Sequence, residues 1–365
     1  MTKPSPHIAL NGICPYFTMF PLAVPLGILR RRAIRSDWVL DPFCGRGTTN
    51  FAARLLGLSS LGVDSSPVAS AITASKLVHT NIAEIMCEAR KILSGPSPQE
   101  VPRSEFWRWA YHPRTLDAIC RFRESFLRTC SSPPRLALRG VVLGALHGPR
   151  QKTFPSYFSN QCPRTYAPKQ AYATRYWRKR GLLPPFVDAL SVIERRATRY
   201  YGSLPLGVGV WRLADSRKPG AVAPVRPNSR FQWVITSPPY YGMRTYRPDQ
   251  WLRSWFLGGR EIVDYTNRDQ LRHSSPEDFA TDLAKVWHNV VEVCAPQAQM
   301  VIRFGGIRDR RANPLDIIKR SLAGSGWRIQ TIVPAGNASE GKRQANAFLR
   351  SRSKPVAEYD IWAAR

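Results

Sequence analysis

No Cys-x-x-Cys pair occurs in this sequence. Its seven cysteines, Cys14, Cys44, Cys87, Cys120, Cys130, Cys162 and Cys294, are odd in number and irregular in spacing. That argues against a zinc framework and a disulfide scaffold and points to a reduced, cytoplasmic setting. No apolar run is long enough to span a bilayer, and the opening MTKPSPHIALNG lacks the apolar core of a secretory signal. Acidic residues are scarce as well. Only 25 Asp and Glu stand against 54 Lys and Arg, a net charge of +29. A field of that sign draws polyanions, of which nucleic acid is the commonest. What the chain has in quantity is apolar and turn-forming material. With 43% hydrophobic residues over 365 positions it is globular, with room for one large domain or two. Its 31 prolines, several in pairs, predict a loop-rich molecule.

From residue 37 the order reads strand, glycine turn, helix, strand, helix: WVLDPF, GRGTT, NFAARLLGL, SLGVDSS, PVASAITASKLV. Thr48 or Thr49 is placed to cap the first helix, and Pro67 to open the second. Such alternation predicts an α/β fold with a doubly wound, mainly parallel sheet. The same grammar returns after residue 205. GVGVWRLADS, FQWVITS and AQMVIRFGG read as strands, and SPEDFATDLAKVWHNVVEVC and NPLDIIKRSLAGSG as helices. WRIQTIVPA and AEYDIWAA form a closing strand pair, making about seven strands in all. The expected organisation is a first catalytic part over residues 1–80, a basic, mainly helical insertion over 81–205, and a second catalytic part over 206–365. Within the insertion, EFWRWAYHPRTLDAICRFRESFLRTC reads as helical and the stretch from Thr153 to Gly181 as irregular.

DPFCGRGTT, residues 41–49, follows a strand and opens a helix. Gly45 and Gly47 let backbone approach a ligand, and the helix start beyond them offers free N–H groups. Asp64 ends the next strand, where an acid in such folds accepts ribose hydroxyls. Together they suggest a cofactor that carries a nucleoside. A dinucleotide fingerprint would need a third glycine where Asn50 stands, and a phosphate loop would need a lysine that is missing. Asp41 further disfavours phosphate and suits a positively charged group, such as the sulfonium and ammonium of S-adenosylmethionine.

TSPPY, residues 236–240, also leaves a strand at the carboxyl edge of the sheet. Methylating an exocyclic amino group requires acceptors for its hydrogens, because its lone pair is otherwise drawn into the ring. The Ser237 hydroxyl and the Pro238 carbonyl supply them, Pro238 and Pro239 stiffen the loop, and Tyr240 offers a flat face for stacking. A base in a duplex would have to be flipped out to reach such a pocket.

These two strings resemble the cofactor and catalytic motifs of amino-methylating DNA methyltransferases. In that family Ser-Pro-Pro-Tyr is typical of cytosine-N4 enzymes and Asp-Pro-Pro-Tyr of adenine-N6 enzymes, so Ser237 favours cytosine N4. The resemblance covers about residues 11–79 and 207–365. It implies a Rossmann-like seven-stranded methyltransferase sheet, S-adenosylmethionine held by Asp41, Pro42, Phe43, Cys44, Gly45, Gly47, Thr48, Thr49, Asp64 and Ser65, and no metal. CPYFTMFPLAVP, residues 14–25, resembles the family's N-terminal cofactor motif and implies Thr18, Phe20 and Pro21. LADSR, residues 213–217, resembles the segment before the catalytic loop and implies Asp215 and Ser216, with Asp215 on the adenine. It further implies double-stranded DNA as substrate, a cognate restriction endonuclease as partner, and a nucleoid-associated place in a prokaryotic cytoplasm.

Between residues 101 and 230, 24 Lys and Arg stand against 6 Asp and Glu. Aromatics interleave with them at Phe106, Trp107, Trp109, Tyr172, Tyr176 and Trp177. This stretch is the expected DNA-contacting region, with Arg175, Arg178, Lys179 and Arg180 on it and Tyr241 and Arg244 beside the catalytic loop. Three other readings stand beside cytosine N4: an adenine-N6 enzyme, an RNA amino-methyltransferase, and a nucleic-acid binder without activity. A cytosine-C5 enzyme is disfavoured, since the usual Pro-Cys context of its nucleophile is missing.

Overall fold

The computed structural model describes residues 6–14, 16, 20–148, 155–160, 162, 169–202, 207–243, 246–266, 270–306, 312–337 and 357–365. The chain divides into two compact units. One gathers residues 17–73, 205–244 and 267–365, and the other gathers 1–16, 74–204 and 245–266.

The first unit is built on seven strands: β1 (Trp38–Asp41), β2 (Ser59–Asp64), β3 (Gly209–Leu213), β4 (Phe231–Thr236), β5 (Cys294–Gly305), β6 (Arg328–Asn337) and β7 (Ala357–Ala364). They form one sheet in the order β3-β2-β1-β4-β5-β7-β6. The first five neighbours are parallel, whereas β7 runs antiparallel between β5 and β6. This is a Rossmann-like, mixed seven-stranded sheet, as the strand grammar predicts. Order reverses between β1 and β4, the switch point where such sheets open a crevice at their carboxyl ends.

The sheet is apolar on both faces, because parallel strands carry helices on both. Alternate residues separate cleanly. Val39, Trp233, Ile235 and Val301 join Leu29, Ala52 and Phe20 in one cluster. Leu40, Val234, Met300 and Ile302 join Leu283, Val286 and Trp287 in the other. The helix Pro276–Val293 shows how local signals fix an element. Ser275 caps it by accepting from the Asp278 amide, Pro276 opens it, and Phe279, Leu283, Val286, Trp287 and Val290 line its buried stripe. The helix Thr48–Leu55 starts differently. Its N-cap is Gly47 in the left-handed region at φ 69°, with no side-chain cap. Thr48 and Thr49 therefore lie inside the first turn and do not cap it.

The second unit is helical. Its longer helices are Ile82–Leu93, Pro113–Arg128, Pro133–Ala145, Gln170–Lys179 and Ala189–Tyr200. The stretch expected to be irregular thus contains the helix Gln170–Lys179, which buries Ala173 and Trp177. Its core is aromatic. Trp107 packs 4.2 Å from Trp255 and 5.4 Å from Phe106, which in turn meets Trp177 at 5.9 Å. Phe106, Trp107 and Trp177 are therefore core residues, not base contacts, since rings this size are stabilised most by removal from water. Arg253 is fully buried there and donates to the carbonyls of Leu143 and His147 at the end of the helix Pro133–Ala145. Among the described residues no helix is long and apolar enough to cross a membrane.

Candidate active site

The glycine turn leaves β1 and the proline loop leaves β4, its direct neighbour in the sheet. Two hydrogen bonds tie them. Thr236 Oγ1 donates to Asp41 Oδ1 at 2.6 Å, and Thr49 Oγ1 donates to the Ile235 carbonyl at 3.0 Å. Thr236, which sequence reasoning left unassigned, is thus the link between the two strings. The same Asp41 oxygen also accepts the Phe43 amide at 3.1 Å. Burial pushes the Asp41 carboxyl up to about 6, against hydrogen bonds that favour its ionised form.

Asp64 holds the turn from the other side. Its two oxygens accept the amides of Gly45 (2.9 Å) and Ser66 (2.8 Å). Burial raises its pKa as well, despite those amides. Part of the acid's capacity, which sequence reasoning gave to a ribose, is thus spent on shaping the loop. Thr73 completes the floor, donating to the Gly45 carbonyl at 3.1 Å beside the Cys44 thiol. Gly47 is obligatory here, because a Cβ on it would stand 2.7 Å from Thr73 Oγ1. Cys44 is buried under the turn, and Ser65 is half-buried at its rim.

The segment after β3 is strapped to the same place. Ser216 Oγ donates to the Pro42 carbonyl at 2.7 Å, and the Ser216 carbonyl accepts from Asn289. Asp215 departs from its expected role. It lies beyond the end of β3, and Arg217 grips both its oxygens at 2.7–3.1 Å. Arg217 also reaches Asp282, which Arg272 holds from its other side. Burial pushes the Asp215 carboxyl up, but Arg217 outweighs it and holds the pKa below the usual range. An acid so engaged is a loop anchor, not an open acceptor for adenine. Phe43 lies edge-on to Trp287 at 6.0 Å. Phe20 is buried in the core, with Arg303 over its ring at 5.9 Å. Pro21 is half-buried, and Thr18 lies outside the described residues.

In the proline loop Ser237 is half-buried, and among the described residues nothing hydrogen-bonds its hydroxyl. Pro238 is buried and Pro239 half-buried. Tyr240 is not an open stacking face. Its ring is 2% exposed, lies edge-on to Phe304 at 5.3 Å, and its hydroxyl donates to Glu358 Oε1 at 2.8 Å. Gly305 makes room for this pair, since a Cβ there would meet Glu358 at 2.9 Å and the tyrosine ring at 3.1 Å. Tyr241 packs on Phe279 and His273, so its ring too is structural. His273 Nδ1 accepts the Gly242 amide at 2.9 Å and holds the far side of the loop. Neither Glu358 nor His273 carries a signal in the sequence. Arg244 lies outside the described residues.

In the helical unit, Arg175, Arg178, Lys179 and Arg180 are all exposed. Arg178 pairs with Glu105 at 3.0 Å, and Arg180 lies 4.1 Å over the Tyr176 ring.

The site residues fit a cationic, nucleoside-bearing cofactor better than a phosphate. The helix Thr48–Leu55 begins without a side-chain cap, so its first amides face the turn with no protein acceptor of that kind. Thr48 Oγ1 and the Asn50 amide are buried there without a hydrogen-bond partner among the described residues. Such orphaned groups are costly unless a ligand or water meets them. Two buried acids, Asp41 and Asp64, repel one another across this turn. A positive sulfonium or ammonium would relieve them, whereas a pyrophosphate would not.

No curated protein matches the chain. Similar solved structures include the rRNA methyltransferase aviRa of Streptomyces viridochromogenes. It is 14% identical, with 99% of this chain and 94% of that one covered at a TM-score of 0.36. A SAM-dependent methyltransferase of Methanosarcina mazei is 8% identical, covering 93% and 96% at 0.34. TrmN of Thermus thermophilus is 10% identical, covering 98% and 53% at 0.36. Residues 3–75, which carry β1, the glycine turn, the helix behind it and β2, match the family model N6_N4_Mtase, the DNA methylases.

Proposed function

We propose that this protein transfers a methyl group from S-adenosylmethionine to the exocyclic N4 amino group of cytosine in double-stranded DNA. One observation carries the reading. The loop that leaves β4 is tied to the glycine turn through Thr236 and Asp41, and it presents a serine hydroxyl with no other task. The DNA methylase match over residues 3–75 supports both the cofactor and the substrate class.

Bound there, S-adenosylmethionine would supply a methyl group on a positive sulfonium, whose sulfur would leave as a neutral thioether. Asp41 and the amides after Gly47 would hold the charged and polar groups of that molecule. The Ser237 hydroxyl and the Pro238 carbonyl accept the two hydrogens of the target amino group. With both hydrogens held, its lone pair turns out of the ring plane and can accept the methyl group. The nitrogen gains a carbon bond and afterwards releases one proton to solvent. Two prolines, the Tyr240–Glu358 bond and the His273–Gly242 bond hold the loop, so little conformational entropy is lost on reaching this geometry. Tyr240 serves here as an anchor of the loop. The basic helical unit supplies the duplex contacts, and a restriction endonuclease is the partner that such a modification would oppose.

The test is labelled S-adenosylmethionine with unmethylated duplex DNA, digested to nucleosides. N4-methylcytosine, abolished by Ser237→Ala, is the expected product. N6-methyladenine would overturn the base assignment, and label in RNA alone would overturn the substrate class.

A further inference from the structure

The helical unit holds a groove of about 580 Å3. On one side the helix Gln170–Lys179 contributes Thr174, Arg175, Arg178 and Lys179, and on the other stand Glu105 and Phe106. The helical residues recur at three and four positions apart, so they share a face. The opposite face is pinned by Ala173 and Trp177, both fully buried. Phe106 is buried too, and its ring packs against Trp177 and Trp251. The groove therefore has a rigid aromatic floor and a wall of three exposed cations.

Its one acid is informative. Glu105 pairs with Arg178 at 3.0 Å, with side chains 48% and 61% exposed. Ion pairs so exposed hold weakly, and an anion can replace the carboxylate at little cost. A phosphodiester offers the same two-oxygen geometry to a guanidinium, with no chain entropy to recover from the protein side. Glu105 thus holds Arg178 at the groove and opposes every phosphate that enters.

We propose that this groove grips the sugar–phosphate backbone of double-stranded DNA. Arg175, Arg178 and Lys179 each take a phosphate, and Glu105 is a built-in competitor that lowers affinity so that the duplex is released. The choice of DNA rests on the function proposed above, whereas the phosphate chemistry rests on the groove alone.

The experiment measures binding of a fluorescent duplex to the full chain by anisotropy, without S-adenosylmethionine, over a series of salt concentrations. Each phosphate contact contributes about 0.9 to the slope of log affinity against log salt. Arg175→Ala with Lys179→Ala is expected to lower that slope by about two. Glu105→Gln is expected to tighten binding about fivefold, as removal of one like charge beside a polyanion should. Arg90→Ala, an exposed arginine on the helix Ile82–Leu93, serves as the control and should leave the slope nearly unchanged. An unchanged slope in the double variant, an equal loss in Arg90→Ala, or weaker binding by Glu105→Gln would each overturn the groove. An equally groove-dependent grip on duplex RNA would overturn the assignment to DNA. Because methyl transfer is not measured, a failed methylation assay with a groove-dependent slope would sink the catalytic reading and leave this one standing.

Discussion

Replacing Asp41 by asparagine should remove the loss of stability that the parent suffers as pH rises from acid to neutral, and should leave the protein less able to hold its cofactor. The carboxyl is 2% exposed, and its pKa is lifted from the ordinary 3.8 to about 6 chiefly by burial. The folded state therefore keeps this proton through a window in which the unfolded chain has lost it, and stability falls as pH rises from about 4 to about 6. At about 1.4 kcal/mol per pH unit, the full difference is about 3 kcal/mol, and most of it is lost between pH 4 and pH 7.5. Asparagine keeps an oxygen for the Thr236 hydroxyl and the Phe43 amide but never ionises. Whatever fixed cost its buried NH2 adds cancels when the variant is compared with the parent at two pH values. Urea unfolding of both at pH 4 and pH 7.5 should show the variant gaining about 2 kcal/mol on its parent between the two. Calorimetric titration with S-adenosylmethionine should show the opposite trend. Parental affinity should fall up to tenfold per pH unit below 6, as the carboxylate that meets the positive group is neutralised. The variant should bind weakly at every pH. Parallel stability profiles for the two proteins would refute the burial argument, and a parental affinity flat from pH 5 to 7.5 would refute the pairing of Asp41 with a cation.

Gly47→Ala forces a side chain into the left-handed region and against Thr73 Oγ1, and should cost about 2–3 kcal/mol in urea unfolding. Removing the threonine side chain as well should recover only the clash. Tyr240→Phe leaves Glu358 buried without the phenol's hydrogen bond and should cost about 1–3 kcal/mol, with methyl transfer falling through a loosened loop. Glu358→Gln keeps an acceptor and should be milder on both counts. Arg217→Lys loses the two-pronged grip on Asp215 and should destabilise by about 1–2 kcal/mol. That loss should shrink on acidification, because acids held below their ordinary pKa contribute stability above it and surrender it as pH falls.

Sequence by itself determined the sheet and its two functional strings. The strands are short continuous apolar runs such as WVLD and FQWVIT, the turns carry Gly or Pro, and the helix Pro276–Val293 announces its start with a cap and its face with a stripe. These are local signals, read within a few residues. The helix Gln170–Lys179 was missed because its Tyr, Trp and Thr are indifferent helix formers beside a proline-rich stretch. What makes it helical is Trp177 finding Phe106, a contact across 71 positions.

Tertiary structure decided which side chains face the chemistry and which hold the parts that do. Asp41 meets Thr236 across 195 positions, and Tyr240 meets Glu358 across 118. No periodicity encodes such pairings, because each is set by the order of the strands in the sheet. The same geometry turned Tyr240 and Tyr241 inward and closed Arg217 over Asp215. A buried ring is stabilised by leaving water, and a half-buried carboxylate by the nearest guanidinium. The Ser237 hydroxyl is left uncommitted among the described residues, and only the folded arrangement could show that.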